Sequence, residues 1–127
     1  MSWAGYRARW RGGDYGASPD LRPDGLWLRL RSGTPAEGFE EVAPGRYVLP
    51  VPAARCEDVR FAVTVCSWRG EPFLVLDGRG DELLLEYTGA RATVARRLGL
   101  ERVERGVYRR WVPRDEIADL REESSPL

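Results

Sequence analysis

Few kinds of side chain in this chain of 127 residues could carry chemistry, because it contains no His and no Lys. Without His there is no ordinary general base near neutral pH, and neither a Ser-His nor a Cys-His pair can form. Two cysteines cannot supply the four ligands of a zinc site. Adjacent carboxylates such as Glu40 and Glu41 are typical of solvated charge. The sequence therefore predicts a protein that is not an enzyme and that uses no metal and no cofactor.

Arginines and tryptophans are the remaining candidates, and they suit binding rather than catalysis. Two segments alternate apolar residues with outward arginines, as half-buried strands do, and Trp27 lies in the second of them. Trp and Arg are enriched at the energetically central positions of interfaces. The predicted partner-binding residues are Arg7, Arg9, Arg11, Trp27, Arg29, Arg31, Arg109, Arg110 and Trp111.

Composition offers a second explanation for these arginines. Every positive charge is Arg, and Asn and Gln are absent as well as Lys. A very GC-rich coding sequence, as in an actinobacterium, has this effect. An exposed sheet rich in arginine could therefore reflect codon supply rather than recognition.

Net charge favours one class of partner over another. The formal charge is zero and the estimated pI is about 6.4, whereas nucleic-acid-binding domains usually carry a clear positive excess. We therefore expect a protein partner, and the size and lack of chemistry resemble those of immunity proteins that block a toxin. Binding of nucleic acid by the same face is the alternative, since arginine beside an aromatic ring suits single strands.

A repeat determines the expected architecture, because each copy of a repeat must be one structural unit. Trp10-Arg11-Gly12 recurs as Trp68-Arg69-Gly70, which predicts equivalent and largely buried places for Trp10 and Trp68. Seven later positions recur at a constant offset: Gly45, Tyr47, Val51, Pro52, Cys56, Asp58 and Val59 match Gly106, Tyr108, Val112, Pro113, Ile117, Asp119 and Leu120. Trp27 and Trp111 have no tryptophan counterpart, which marks them as candidates for a seam or a partner contact.

Both copies end in the same way, with Gly-x-Tyr, a strand closed by Val-Pro, and one helical turn. This order resembles the end of an SH3-like (Tudor-like) barrel, in which a 3₁₀ turn precedes the last strand. We expect a mostly β fold of two duplicated, SH3-like antiparallel barrels or sheets packed together. The first covers residues 1–60, and the second covers residues 61–121 with a short helix inserted near 91–99. Residues 122–127 are predicted to be a flexible tail.

The cysteines and the N-terminal sequence indicate the compartment. Cys56 and Cys66 match Ile117 and Ala8 in the repeat, so we expect buried, reduced and unreactive thiols. No stretch approaches the roughly 20 apolar residues of a membrane span, and no signal peptide is visible at the N-terminus. These features predict a cytoplasmic protein without membrane contact.

Overall fold

The computed structural model describes residues 3–127, and it is mostly β, with 66% of residues in strands and one short helix. The strands are β1 (Ala4–Trp10), β2 (Gly13–Arg22), β3 (Gly25–Ser32), β4 (Glu40–Ala43), β5 (Arg46–Pro52), β6 (Asp58–Trp68), β7 (Glu71–Arg79), β8 (Glu82–Tyr87), β9 (Glu101–Glu104), β10 (Val107–Pro113) and β11 (Ala118–Pro126). The helix α1 spans Ala92–Arg97, and 3₁₀ turns follow β5 (Ala53–Arg55) and β10 (Arg114–Glu116). Within residues 3–127, no helix has the length and apolar character to cross a membrane.

The strands hydrogen-bond in two series, β4-β5-β3-β2-β1 and β6-β7-β8-β10-β9. The pairing is antiparallel. The prediction of a mostly β, antiparallel fold with one short helix is thus confirmed. The prediction of two duplicated barrels stays a prediction.

The chain divides into two compact units. The first comprises Gly5–Ala62 and Ser124–Leu127, and the second comprises Val63–Glu123 with Trp3 and Ala4. Both units follow the same order of strands and end with a 3₁₀ turn and a strand, and α1 belongs to the second. The boundary at residues 62 and 63 lies inside β6.

Alternating apolar positions build the core of the first unit, because successive side chains of a strand point to opposite faces. Leu28 and Leu30 of β3 are fully buried, and Ala8, Ala17 and Val51 complete the buried cluster. Half-buried aromatic rings surround this cluster, among them Trp10, which the repeat had placed deeper in the core. The outward residues of β1 and β3 are therefore free to face solvent.

The second unit has a larger core, because α1 adds apolar residues to those of the strands. Its buried residues are Cys66, Trp68, Phe73, Val75, Leu83, Leu85, Tyr87, Val94, Ala95, Leu98, Leu100 and Val112. The helix ends as predicted, with Gly99 at a φ of +71° directly after its last turn. A glycine adopts this left-handed conformation without the strain that a Cβ causes.

Two tight hairpins show the same backbone conformation. Arg11 and Gly12 have φ values of +49° and +81°, and Arg69 and Gly70 have values of +50° and +77°. Two successive positive φ values are typical of the two-residue turns that match the twist of antiparallel strands. Each Trp-Arg-Gly motif therefore positions its tryptophan as the last residue before a sharp reversal of the chain.

Some elements differ from the predicted ones. Pro19 lies within β2 opposite Leu28, although proline is uncommon inside strands. The register between β1 and β2 extends only to Tyr6 and Ala17, so the missing N–H of Pro19 removes no bond from that ladder. Residues 122–127, expected to be a flexible tail, lie at the end of β11, where the Leu127 amide donates to the Val59 carbonyl at 3.1 Å.

Candidate functional site

The outward face of the first unit brings together several predicted arginines. Arg7 lies opposite Gly16, and Gly16 lies opposite Arg31, so the three residues form one cross-strand row. Arg29 lies opposite Ser18 in the next row. The strands β1 and β3 are not direct neighbours, because β2 runs between them. The arginines nevertheless share one face, since residues paired across antiparallel strands point to the same side.

Gly16 makes room for an arginine at the centre of this face. A Cβ on Gly16 would lie 3.2 Å from Nη2 of Arg31. Nη1 of Arg31 donates to Oγ of Ser18 at 2.8 Å. The guanidinium thus lies across β2 and is held in place there. Arg9 instead lies opposite Asp14, with 3.8 Å between its Nε and Oδ1 of that residue.

Trp27 is half-buried at one end of the face. Its Nε1 donates to Oδ1 of Asp24 at 3.1 Å. The guanidinium of Arg22 lies 4.1 Å from the centre of the indole ring, a cation–π distance. Two contacts hold the ring in one orientation, which lowers the entropy that it would lose on binding a partner.

A cleft of about 470 Å³ opens beside Trp27 in the first unit. One end of β5 supplies an apolar wall, in which Pro50 and Pro52 alternate with Leu49 and Val51. The other lining residues are Trp10, Arg11, Asp24, Trp27, Glu37, Gly38 and Arg55. Two tryptophans, prolines and arginines around one concavity form a mixed apolar and cationic surface.

The predicted arginine stripe ends before Arg11. That residue lies in the turn after β1 rather than on the strand face, because its positive φ reverses the chain. Its guanidinium lies 5.2 Å from the centre of the Trp10 ring and 4.0 Å from Oε1 of Glu37. Arg11 therefore borders the cleft rather than the row of Arg7 and Arg31.

The other three predicted residues lie in the second unit, and each makes a local contact there. Nε of Arg109 donates to Oε1 of Glu86 at 2.9 Å, across the pairing of β10 with β8. Nη1 of Arg110 donates to the carbonyl of Leu98 at 3.1 Å, at the C-terminus of α1. Trp111 is half-buried, with the guanidinium of Arg79 at 4.0 Å from its ring centre. We assign Arg109 and Arg110 to the stability of this unit.

A second concavity, of about 390 Å³, occurs in the second unit. Three exposed arginines border it, Arg91, Arg102 and Arg105, together with Tyr87 and Tyr108. Sequence reasoning missed this group, because its members come from the helix region and from both sides of the β9–β10 turn. Arg91 is partly neutralised, since its Nη2 lies 3.1 Å from Oε1 of Glu71.

The thiols differ from each other. Cys66 is buried at 3% exposure, and burial raises the pKa of its thiol to about 11, although the nearby Arg121 lowers it. Cys56 is only half-buried, so the prediction of two buried thiols is wrong for it. Burial and then the charge of Glu57 raise the pKa of the Cys56 thiol. In residues 3–127, no three Cys, Asp or Glu side chains are grouped as a metal site requires.

A family model described as "Uncharacterised conserved protein UCP033725" matches residues 29–127. The chain belongs to this family. The match begins within β3, so it includes β5, the first 3₁₀ turn and all later elements. Comparison with curated proteins and with solved structures finds no match for the chain.

Proposed function

We propose that the protein is a non-catalytic binding module that recognises a protein partner through its first unit. The observation that carries the proposal is the cleft of about 470 Å³ between Trp10 and Trp27. Binding sites are concave and mostly apolar, with a few polar groups that determine orientation. The cleft has this composition, because its wall contains prolines and its other lining residues include two indoles and two arginines. An immunity or inhibitor protein would bind its target through such a cleft.

The arginines that share a face with Trp27 suit the rim of such an interface. Arg7, Arg29 and Arg31 are exposed on the same face as Trp27. Exposed rim charges chiefly raise the rate of association, whereas a desolvated tryptophan contributes to affinity. The proposal therefore assigns affinity to Trp27 and the cleft, and it assigns steering to the arginines.

We also propose that each unit is an SH3-like barrel and that the two arose by duplication. Three observations support this: the shared order of elements, the 3₁₀ turn before the last strand of each unit, and the matching turns after Trp10 and Trp68. Small barrels of this kind present loops and strand edges for binding. The proposed function depends on the cleft, and it holds whether or not the two units are SH3-like barrels.

The second concavity favours the alternative of nucleic-acid binding. Arg91, Arg102 and Arg105 could contact phosphates, and the ring of Tyr108 could stack on a base. The formal net charge of zero weighs against this alternative. Fluorescence anisotropy with a labelled single-stranded RNA decides it. A steep loss of affinity with salt, abolished by Arg102→Ala with Arg105→Ala, would promote it over the protein partner.

The test of the proposed function compares tryptophans of the two units. The partner is first captured with the tagged chain from the native host, and its dissociation constant is then measured with purified proteins. Trp27→Ala should weaken binding by about 30-fold or more, since a desolvated Trp contributes about 2 kcal/mol. Trp111→Ala is the matched control, because that ring is also half-buried and stacked on an arginine, and it should leave affinity within about threefold.

The combined change of Arg7, Arg9, Arg29 and Trp27 to Ala should abolish binding while the fold is retained. Outward strand positions contribute little to the core, so circular dichroism should be unchanged. Normal affinity of this quadruple variant would refute the proposal. So would unfolding caused by Trp27→Ala alone, because the indole would then serve the core.

A further inference from the structure

The two tryptophans of the Trp-Arg-Gly motifs differ in their hydrogen bonding. Nε1 of Trp68 donates to Oε1 of Glu116 at 3.2 Å. Nε1 of Trp10 is buried and has no hydrogen-bond partner. Within residues 3–127, no other buried side-chain nitrogen or oxygen lacks a partner. A buried donor that loses its water and gains no acceptor destabilises the folded state. Native proteins keep few of them, so each one calls for an explanation.

The 3₁₀ turns of the two units carry different side chains at corresponding positions. Glu116 is the last residue of the turn Arg114–Glu116, and Arg55 is the last residue of the turn Ala53–Arg55. The second unit thus provides its tryptophan with a carboxylate, whereas the first has a guanidinium at the corresponding place. A guanidinium has five N–H donors and no acceptor, so it cannot satisfy an indole N–H.

The surroundings of Trp10 indicate which acceptor is missing. Trp10, Arg11 and Arg55 all line the cleft, and both arginines are exposed. In the part of the chain that the structure describes, no carboxylate lies within 4 Å of Arg55. An acceptor that enters the cleft to satisfy Nε1 of Trp10 enters a concavity that Arg55 also lines. Charge complementarity therefore favours an anionic acceptor over a neutral carbonyl.

We propose that the cleft of the first unit binds an Asp or Glu side chain of the protein partner, at the position that Glu116 occupies in the second unit. The partner's carboxylate accepts from Nε1 of Trp10 and pairs with Arg55. The second unit thus supplies its own carboxylate to its tryptophan, whereas the first would receive one from another chain. This inference rests on the proposed function and specifies the chemistry that the partner must present.

Two acids of this chain also line the cleft, and neither satisfies Trp10. Asp24 accepts from the Trp27 indole, and Glu37 lies 4.0 Å from Arg11. Since Nε1 of Trp10 is buried, a neighbouring side chain must move before the ligand reaches it. Arg11 is exposed and its guanidinium lies 5.2 Å from the centre of the Trp10 ring, so a change of its rotamer is one such movement.

The test uses a phage-displayed library of random 12-residue peptides, selected against the full chain. Selected peptides should carry Asp or Glu, and replacing the critical Glu by Gln in a synthetic peptide should weaken binding at least tenfold. Binding should shift the indole N–H resonance of Trp10, assigned by its loss in Trp10→Phe. That variant retains the ring stacking but lacks the donor, so peptide affinity should fall at least fivefold while thermal stability is maintained.

A charge variant provides the second arm. Arg55→Glu should act as an internal ligand, which shifts the Trp10 indole resonance without peptide and lowers peptide affinity at least tenfold. Ala54→Glu is the matched control, because it adds a carboxylate one residue away, and it should bind the peptide within about threefold of the parent chain.

Three results would overturn the inference: no peptide selected, affinity unchanged by Glu→Gln, or a Trp10 resonance that peptide does not move. None of them affects the proposed function, which stands if Trp27→Ala still weakens the physiological partner. Conversely, acidic peptides that bind while Trp27→Ala leaves that partner unaffected would place the physiological contact elsewhere.

Discussion

The hydrogen bond between Trp68 and Glu116 shows how one carboxylate satisfies the N–H donor of a buried indole. Trp68 is only 2% exposed, yet its N–H is satisfied because the second 3₁₀ turn carries Glu116 to within 3.2 Å. The arginines Arg69 and Arg110 also approach the faces of the same ring. The indole is therefore contacted by a carboxylate at its nitrogen and by cations at its faces, in accord with its charge distribution.

Removing the carboxylate of Glu116 should show how much this hydrogen bond contributes to the free energy of unfolding. Glu116→Ala leaves the Trp68 N–H unsatisfied, so we expect the free energy of unfolding in urea to fall by about 1–2 kcal/mol. Glu116→Gln should cost less, because its carbonyl still accepts. Asp115→Ala, at an exposed position of the same turn, is the control. Equal losses for Asp115→Ala and Glu116→Ala would contradict the role of the bond.

The buried thiol of Cys66 predicts a pH dependence of stability. An unfolded thiol ionises near pH 8.5, whereas the folded one has a pKa of about 11. The folded pKa is raised, so the contribution is complete below about pH 8.5 and is lost as the pH rises through 11. Urea unfolding between these values should show falling stability in the parent chain and a flatter profile in Cys66→Ala.

Labelling of the two thiols provides an independent check of the same difference. A thiol reagent at pH 8 should modify half-buried Cys56 first, and it should modify Cys66 only as the fold opens. Cys56→Ala leaves a single thiol whose slow reaction can be followed alone. Equal rates for both thiols in the native chain would be inconsistent with the burial of Cys66.

At the scale of elements, α1 depends on a residue that sequence reasoning had assigned to binding. Nη1 of Arg110 donates to the carbonyls of Leu98 and Gly99, at 3.1 and 3.4 Å. The last carbonyls of a helix lack partners within it, and cations are favourable there. Arg110 therefore completes the C-terminus of a helix of only six residues.

We expect Arg110→Ala to lower stability by about 0.5–1 kcal/mol and to speed amide exchange in α1. Gly99→Ala should do more harm, because it places a Cβ at a φ of +71° and 2.8 Å from Nη1 of Arg110. Arg96→Ala, at an exposed position of α1, serves as the control. Unchanged exchange in α1 for Arg110→Ala would show that the cap is unimportant.

The strands could be predicted where one face is buried, because alternation then records the burial directly. Leu26 to Leu30 and Leu83 to Leu85 show this alternation. The end of α1 could be predicted for another reason, because a glycine follows it. The place of Pro19 inside β2 could not be predicted, because it depends on where the neighbouring strand β1 stops pairing, and no local sequence pattern shows that. The cleft was missed for a similar reason. Alternation marks Trp10 as a core residue, and only the contrast between Arg55 and Glu116 reveals its unsatisfied donor.

At the scale of the whole molecule, equal numbers of acids and arginines determine the colloidal behaviour. There are 20 of each, and the pI is about 6.4. A net charge near zero promotes association, so light scattering should show maximal self-association near pH 6.4 and less at pH 8.5. Changing the exposed Arg46 and Arg105 to Glu should move this maximum to lower pH. A maximum that does not move would mean that net charge is not its cause.

The prolines of β5 have a consequence for how the molecule avoids unwanted partners. Beyond the pairing of Arg46–Val48 with β4, no strand in residues 3–127 pairs with that side of Leu49–Pro52. Pro50 and Pro52 lie opposite Arg29 and Trp27 of β3, and they have no N–H to present on the other side. An edge without these donors is a poor template for an added strand, so it resists amyloid-like stacking of chains. The same wall that lines the cleft therefore keeps an exposed edge from pairing with misfolded copies, and under the proposed function it leaves recognition to side chains.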